Sequence, residues 1–125
     1  MPKLTALEAA ALNEICEREA SQQGILKAQI AVAIASRRRN SGFGFFTNLS
    51  TDHSLAPIGN GRRVIGSIVA NVEGFEGPLF LLLFMKDGCV SMLEGATVQD
   101  STVGVDFSKV VFNIDPASPT RLSQS

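Results

Sequence analysis

Tryptophan and tyrosine are absent from these 125 residues, histidine occurs once and cysteine twice. Each scarcity removes a class of chemistry. The single histidine, His53, stands between Asp52 and Ser54 in a polar stretch. To serve nucleophilic catalysis it would have to meet Cys89 or a serine in space, and no motif brings them together. A surface histidine is expected, with no catalytic set. Two cysteines and one histidine also fall short of a four-ligand zinc site, and Cys16 and Cys89 form no C-x-x-C pair. No metal or cofactor is expected, and both cysteines read as reduced thiols. The net charge of −1, from 11 basic and 12 acidic residues, argues against a chain whose main task is to hold polyanions. Long hydrophobic runs are missing too. Leu79 to Met85 is far below the ~20 residues of a membrane helix, and Glu8 and Glu14 interrupt any signal-like N-terminal core. A cytoplasmic protein without a membrane partner is expected.

What is present is an ordinary globular composition, 45% apolar and 18% charged, in a chain long enough to bury a core unaided. Residues 1–115 are expected to form a single domain, with residues 116–125, PASPTRLSQS, as a flexible tail. Thr5 and Glu8 make a capping box, and Leu7, Ala11, Leu12, Ile15 and Cys16 fall on one stripe, so a helix is expected up to a stop at Gly24. Residues 25–35 fit a short helical turn to about Gln29, then a strand into the arginines. Asn40-Ser41-Gly42 is turn chemistry, and Phe43 to Leu49 returns. After a polar loop, Arg63 to Val72 alternates as a strand. Leu79 to Met85, the tight turn Asp87-Gly88 and Cys89 to Glu94 form a hairpin, and Phe107 to Ile114 reads as an edge strand. The order predicts an α+β fold: an N-terminal helix and a short helical turn on an antiparallel sheet of about five to six strands.

Two stretches invite a functional reading. In RRRNSGFGFFTN, residues 37–48, the glycine-phenylalanine alternation approaches an RNA-stacking signature. It fails at Ser41, where a basic residue belongs, and at Asn48, where an aromatic belongs. A strand and then a helix should precede it, whereas here the helix comes first and residues 25–36 contain no aromatic. RNA binding through Phe43 and Phe45 therefore ranks last, and core packing first. The arginines divide: Arg37 and Arg39 share one face of a strand and Arg38 takes the other. Such a run is usually a solvated edge, though arginine forks also suit anions. In the second stretch, Val90, Met92 and Glu94 are expected on one strand face. Glu94 is either a pocket acid or the partner of an arginine in the first hairpin. Gly95 beside it points to a bend or a close backbone approach.

GPLFLLLFMKDGCVSMLEG, residues 77–95, resembles a stretch shared by a group of small uncharacterised bacterial proteins, G-x-L-L-F-x-x-D-G-x-L-S-x-L-E-G. Residues 26–30, LKAQI, extend the resemblance, and residues 38–47 resemble the group's R-x-x-T-G-x-G-F-F-T. The aromatic that usually follows E-G in that group is replaced here by Ala96-Thr97. The resemblance implies a small bacterial α+β domain and no assigned activity. It also implies that the glycine-phenylalanine alternation belongs to the group's hairpin. The leading expectation is a non-enzymatic binding or protein-interaction module that self-associates. The alternative is a small-ligand or enzymatic pocket built around Glu94 with Arg37, Arg38 or Arg39.

Overall fold

The computed structural model describes residues 3–19 and 21–116. The elements run α1 (Ala6–Arg18), α2 (Gln23–Ala31), β1 (Ile34–Asn40), β2 (Gly44–Ser50), β3 (Arg62–Val72), β4 (Leu79–Lys86), β5 (Cys89–Thr97) and β6 (Phe112–Ile114). The six strands form one sheet in the order β1-β2-β5-β4-β3-β6, and every neighbouring pair is antiparallel. This is the expected α+β architecture. Of the expected tail, all but Pro116 lies outside the described residues.

Local chemistry explains most boundaries. Thr5 Oγ1 accepts from the Glu8 amide at 3.1 Å, and Glu8 Oε1 accepts from the Thr5 amide at 2.8 Å, completing the capping box. Gly24 does not end this helix. α1 stops at Arg18, and Gly24 lies in the first turn of α2, which Gln22 enters from a left-handed conformation (φ 58°). α1 ends where Glu19 turns extended (φ −84°, ψ 111°), its amide donating to the Cys16 carbonyl, so the expected glycine stop is corrected. The expected short turn is a nine-residue helix. Asp87 and Gly88 both have positive φ, which suits the two-residue turn joining β4 to β5. The expected edge strand shrinks to Phe112–Ile114, paired with β3.

Helices and sheet share one core. Leu7, Leu12 and Ile15 of α1 and Leu26 of α2 pack with Phe45, Ile68, Leu79, Leu81, Leu83 and Leu93. β4 shows the alternation plainly. Leu79, Leu81, Leu83 and Met85 are at most 1% exposed, while Phe80, Leu82 and Phe84 between them point to the other face. Gln29, fully buried on α2, fastens the remote loops to this core. Its Nε2 donates to the carbonyls of Ala56 and Gly88, and its Oε1 accepts from the Val90 amide at 2.9 Å. Its own carbonyl accepts from Thr51 Oγ1.

Three register shifts decide which side chains reach which face, one of them in β3 between Val64 and Gly66, which leaves Val64 and Ser67 on the same side. In β1 the register slips between Ala35 and Arg37, after which Arg37 faces Asn48, Arg38 faces Thr47 and Arg39 faces Phe46. In β5 it slips at Ser91, so Met85 faces Val90 but Phe84 faces Met92. Val90 therefore turns into the core, 3% exposed. The expectation that it shares a face with Met92 and Glu94 is corrected by this bulge, which a strict two-residue period cannot anticipate.

Candidate functional site

The sheet has one covered face and one open face. On the open face, Arg39, Phe46, Glu94, Leu82 and Ser67 lie in one row across five strands. A second row runs Arg37, Asn48, Met92, Phe84 and Val64. Phe80 and Val69 continue the apolar field beside them. Phe80 is 39% exposed and Val64 51%; Phe46, Leu82, Phe84 and Met92 are half-buried by one another. Two shallow depressions cross this field. One of about 320 Å³ is lined by Arg37, Arg38, Arg39, Phe46, Asn48 and Met92. The other, of about 400 Å³, is lined from Ser36 to Phe84 and Lys86. Both are bounded by strand residues alone, whereas a third, of about 500 Å³, lies where Ser67, Val69 and Phe80 meet Arg18, Asp115 and Pro116.

The sequence-predicted site residues separate here. Arg37 and Arg39 share the open face with Glu94, as the alternation of the strand requires. Arg39 sits over the Phe46 ring, its Cζ 4.9 Å from the centroid, a contact worth about 0.5–1 kcal/mol at an exposed site. Glu94 follows on the far side of Phe46. Among the described residues, neither Glu94 nor Arg37 nor Arg39 makes an ion pair. Gly95 serves the core rather than the open face: a Cβ there would overlap the Phe45 ring.

Arg38 turns to the helix side and finds an acid that sequence reasoning assigned only a capping role. Glu8, 3% exposed, accepts from Arg38 Nε at 2.9 Å and Nη2 at 2.8 Å, and from Thr47 Oγ1 at 2.6 Å. Burial alone would push the Glu8 carboxyl up. The hydrogen bonds from Arg38, Thr47 and the Thr5 amide, with the guanidinium charge, outweigh it and hold the group below the usual carboxylate range. A helix N-terminal position combined with an inward arginine two elements later is the only sequence signal for this pair.

The phenylalanines behave unlike one another. Phe45 is 5% exposed and packs against Phe107, ring centroids 4.8 Å apart. Phe43 is 69% exposed in the β1–β2 connection. A stacking platform needs neighbouring rings open to solvent, and of these two only Phe43 is open. Cys16 and Cys89 are both free. Cys89 Sγ lies 3.5 Å from His53 Nδ1, the encounter that no motif announced. Among the described residues no group of three or more His, Cys, Asp or Glu side chains is placed to hold a metal ion. None of the described helices is long and apolar enough to cross a membrane. No protein-family model, no curated protein and no solved structure matches the chain.

Proposed function

We propose that this protein is a non-enzymatic interaction module whose working surface is the open face of the sheet, and that its partner there is a second copy of the chain. One observation carries the reading. Among the described residues, no helix covers the apolar field spanning β1, β2, β5 and β4, and Arg37, Arg39 and Glu94 within it make no ion pair.

Charge placement favours a second copy. Arg39 and Glu94 flank Phe46 in a single cross-strand row. A two-fold axis over Phe46 exchanges them, so Arg39 of each copy meets Glu94 of the other while the two phenylalanines meet at the axis. With that axis β1, β2 and β5 of one copy lie over β5, β2 and β1 of the other. At ~4.8 Å between strands and ~3.4 Å per residue the overlap is roughly 14 by 20 Å, well below the ~800 Å² per partner of a standard interface, so a weak dimer is expected.

Sedimentation equilibrium from micromolar to millimolar protein tests this. A dimer is expected, with Phe46→Glu monomeric throughout the range. Arg39→Glu and Glu94→Arg should each weaken association about tenfold or more, and the two together should restore it, because the pair is reciprocal. A wild-type monomer at every concentration, or a dimer indifferent to Phe46→Glu, would overturn the proposal. Failure of the double variant to restore association would overturn the two-fold pairing.

A further inference from the structure

At the end of the sheet opposite the β1–β2 turn, the loop after β2 and the first residue of β5 bring together His53 and Cys89. The two segments are independent in sequence and are held by one residue. Gln29 Nε2 donates to the Gly88 carbonyl immediately before Cys89. The same carbonyl accepts from the Ile58 amide, and Thr51 Oγ1 donates to the Gln29 carbonyl, so both ends of the histidine loop are tied to the same point. Within that loop Asp52 is occupied. Its Oδ1 accepts from the Ser54 hydroxyl at 2.7 Å and the Ser54 amide at 2.9 Å. The hydroxyl bond first, then the amide bond, hold the Asp52 carboxyl below its usual range. Asp52 is therefore a fixed anion beside the imidazole.

The pair lines an open cleft of about 330 Å³, together with Leu49, Lys86, Asp87, Val90 and Ser91. Cys89 keeps 9% of its surface and is part of the cleft lining. The other thiol is built differently. Cys16, 3% exposed, donates to the Gln23 carbonyl. Burial pushes that thiol up. One chain thus contains a thiol facing a base in a cleft and a thiol facing a carbonyl in the core.

We propose that Cys89 and His53 form a thiol–imidazole pair that undergoes exchange with small disulfides carrying carboxylates, making Cys89 a site of reversible S-thiolation. In the step, His53 Nδ1 takes the Cys89 proton and the thiolate sulfur attacks one sulfur of the disulfide. The S–S bond of the reagent breaks, a mixed disulfide forms on Cys89, and the leaving thiolate takes the proton from His53. Electrons balance because the disulfide is the oxidant and its leaving half is reduced. The Lys86 ammonium in the same cleft is placed to pair with a carboxylate of the reagent. Asp52, Asp87 and, opposite Lys86 on β3, Arg62 are the other charged groups around the pair.

The probe is oxidised glutathione applied to the folded full chain, read by intact mass and peptide mapping. The mixed disulfide is expected on Cys89 and not on Cys16, and Cys89→Ser should abolish it. His53→Gln, a change at an exposed position, should leave the thermal melt unchanged. It should slow modification at neutral pH by about tenfold or more, within the usual reach of a positioned base. It should also remove the imidazole limb of the pH–rate profile. Lys86→Ala should slow oxidised glutathione more than a neutral disulfide. Modification of Cys16 as fast as Cys89, no adduct at all, or a rate and pH profile unchanged in His53→Gln would each overturn the proposal.

Discussion

Two acids sit on opposite faces of the same sheet, and they are treated differently. Glu8, on the covered side, accepts hydrogen bonds from the Thr5 amide, two nitrogens of Arg38 and the Thr47 hydroxyl. Glu94, half-buried on the open side, has no hydrogen-bond or ion-pair partner among the described residues. The same contrast holds for the apolar residues. Leu81 and Leu83 are fully enclosed by helices, whereas Phe80 and Val64 are left 39% and 51% exposed. Among the described residues, no buried side-chain nitrogen or oxygen lacks a partner. Among the described residues, a fully satisfied interior beside an apolar field with loose charges is what supports the proposal that this face binds a partner.

Adjacent phenylalanines in β2 give the sharpest way to break the contrast. Phe45 points into the core and Phe46 onto the open face. Phe45→Ala should cost about 3–5 kcal/mol, the range for emptying an aromatic from a packed core. Phe46→Ala should cost roughly 1 kcal/mol or less when measured dilute enough to exclude association. Urea denaturation of the two variants decides it. Equal losses would mean that the open face is packed and the comparison is wrong.

Gln29 tests the covered side's polar rule. Replacing it with Leu keeps the volume but strands the Val90 amide and removes two donors from the Ala56 and Gly88 carbonyls. A loss of about 2–3 kcal/mol is expected from the unsatisfied buried groups. Hydrogen exchange should localise the loosening to the loop before β3 and the β4–β5 turn. Uniform loosening of the whole domain would show that Gln29 is ordinary core filling instead.

The two sides also differ in how legible they were. Periodicity found the stripe of α1, the alternation of β4 and the opposed directions of Arg38 and its neighbours, because those depend only on residue spacing. Capping chemistry found the start of α1, and turn chemistry found Asp87-Gly88. What spacing could not show were relations between distant segments. The bulge at Ser91 sends Val90 inward. The Glu8–Arg38 pair joins residues thirty positions apart. Gln29 reaches fifty-nine residues forward to Gly88. His53 meets Cys89 through a loop with no regular structure. The last three are long-range contacts made by polar or reactive side chains, the first is a backbone slip, and none repeats with a period. The open face was half legible: its strands were foreseen, but that neither described helix covers it depends on both packing on the other side.

The smallest expected effect concerns acid. Glu8 has its carboxyl held below the usual range in the folded state. A carboxyl depressed by folding stabilises the protein above the unfolded carboxylate pKa, and that contribution is lost as pH falls through the folded value. Stability at neutral pH should therefore include a Glu8 contribution that fades only in the acid range below the ordinary carboxylate titration. Glu8→Gln should remove roughly 1–2 kcal/mol at neutral pH, less than a fully buried ion pair, because the Arg38 side chain remains 38% exposed to water. It should also flatten the stability profile at low pH. Glu94→Gln, on the open face, should change neither the neutral value nor the slope in dilute monomer. Thermal melts of both variants across the acid range separate the two carboxylates, and a Glu94→Gln profile that flattened like that of Glu8→Gln would show that both acids are structural.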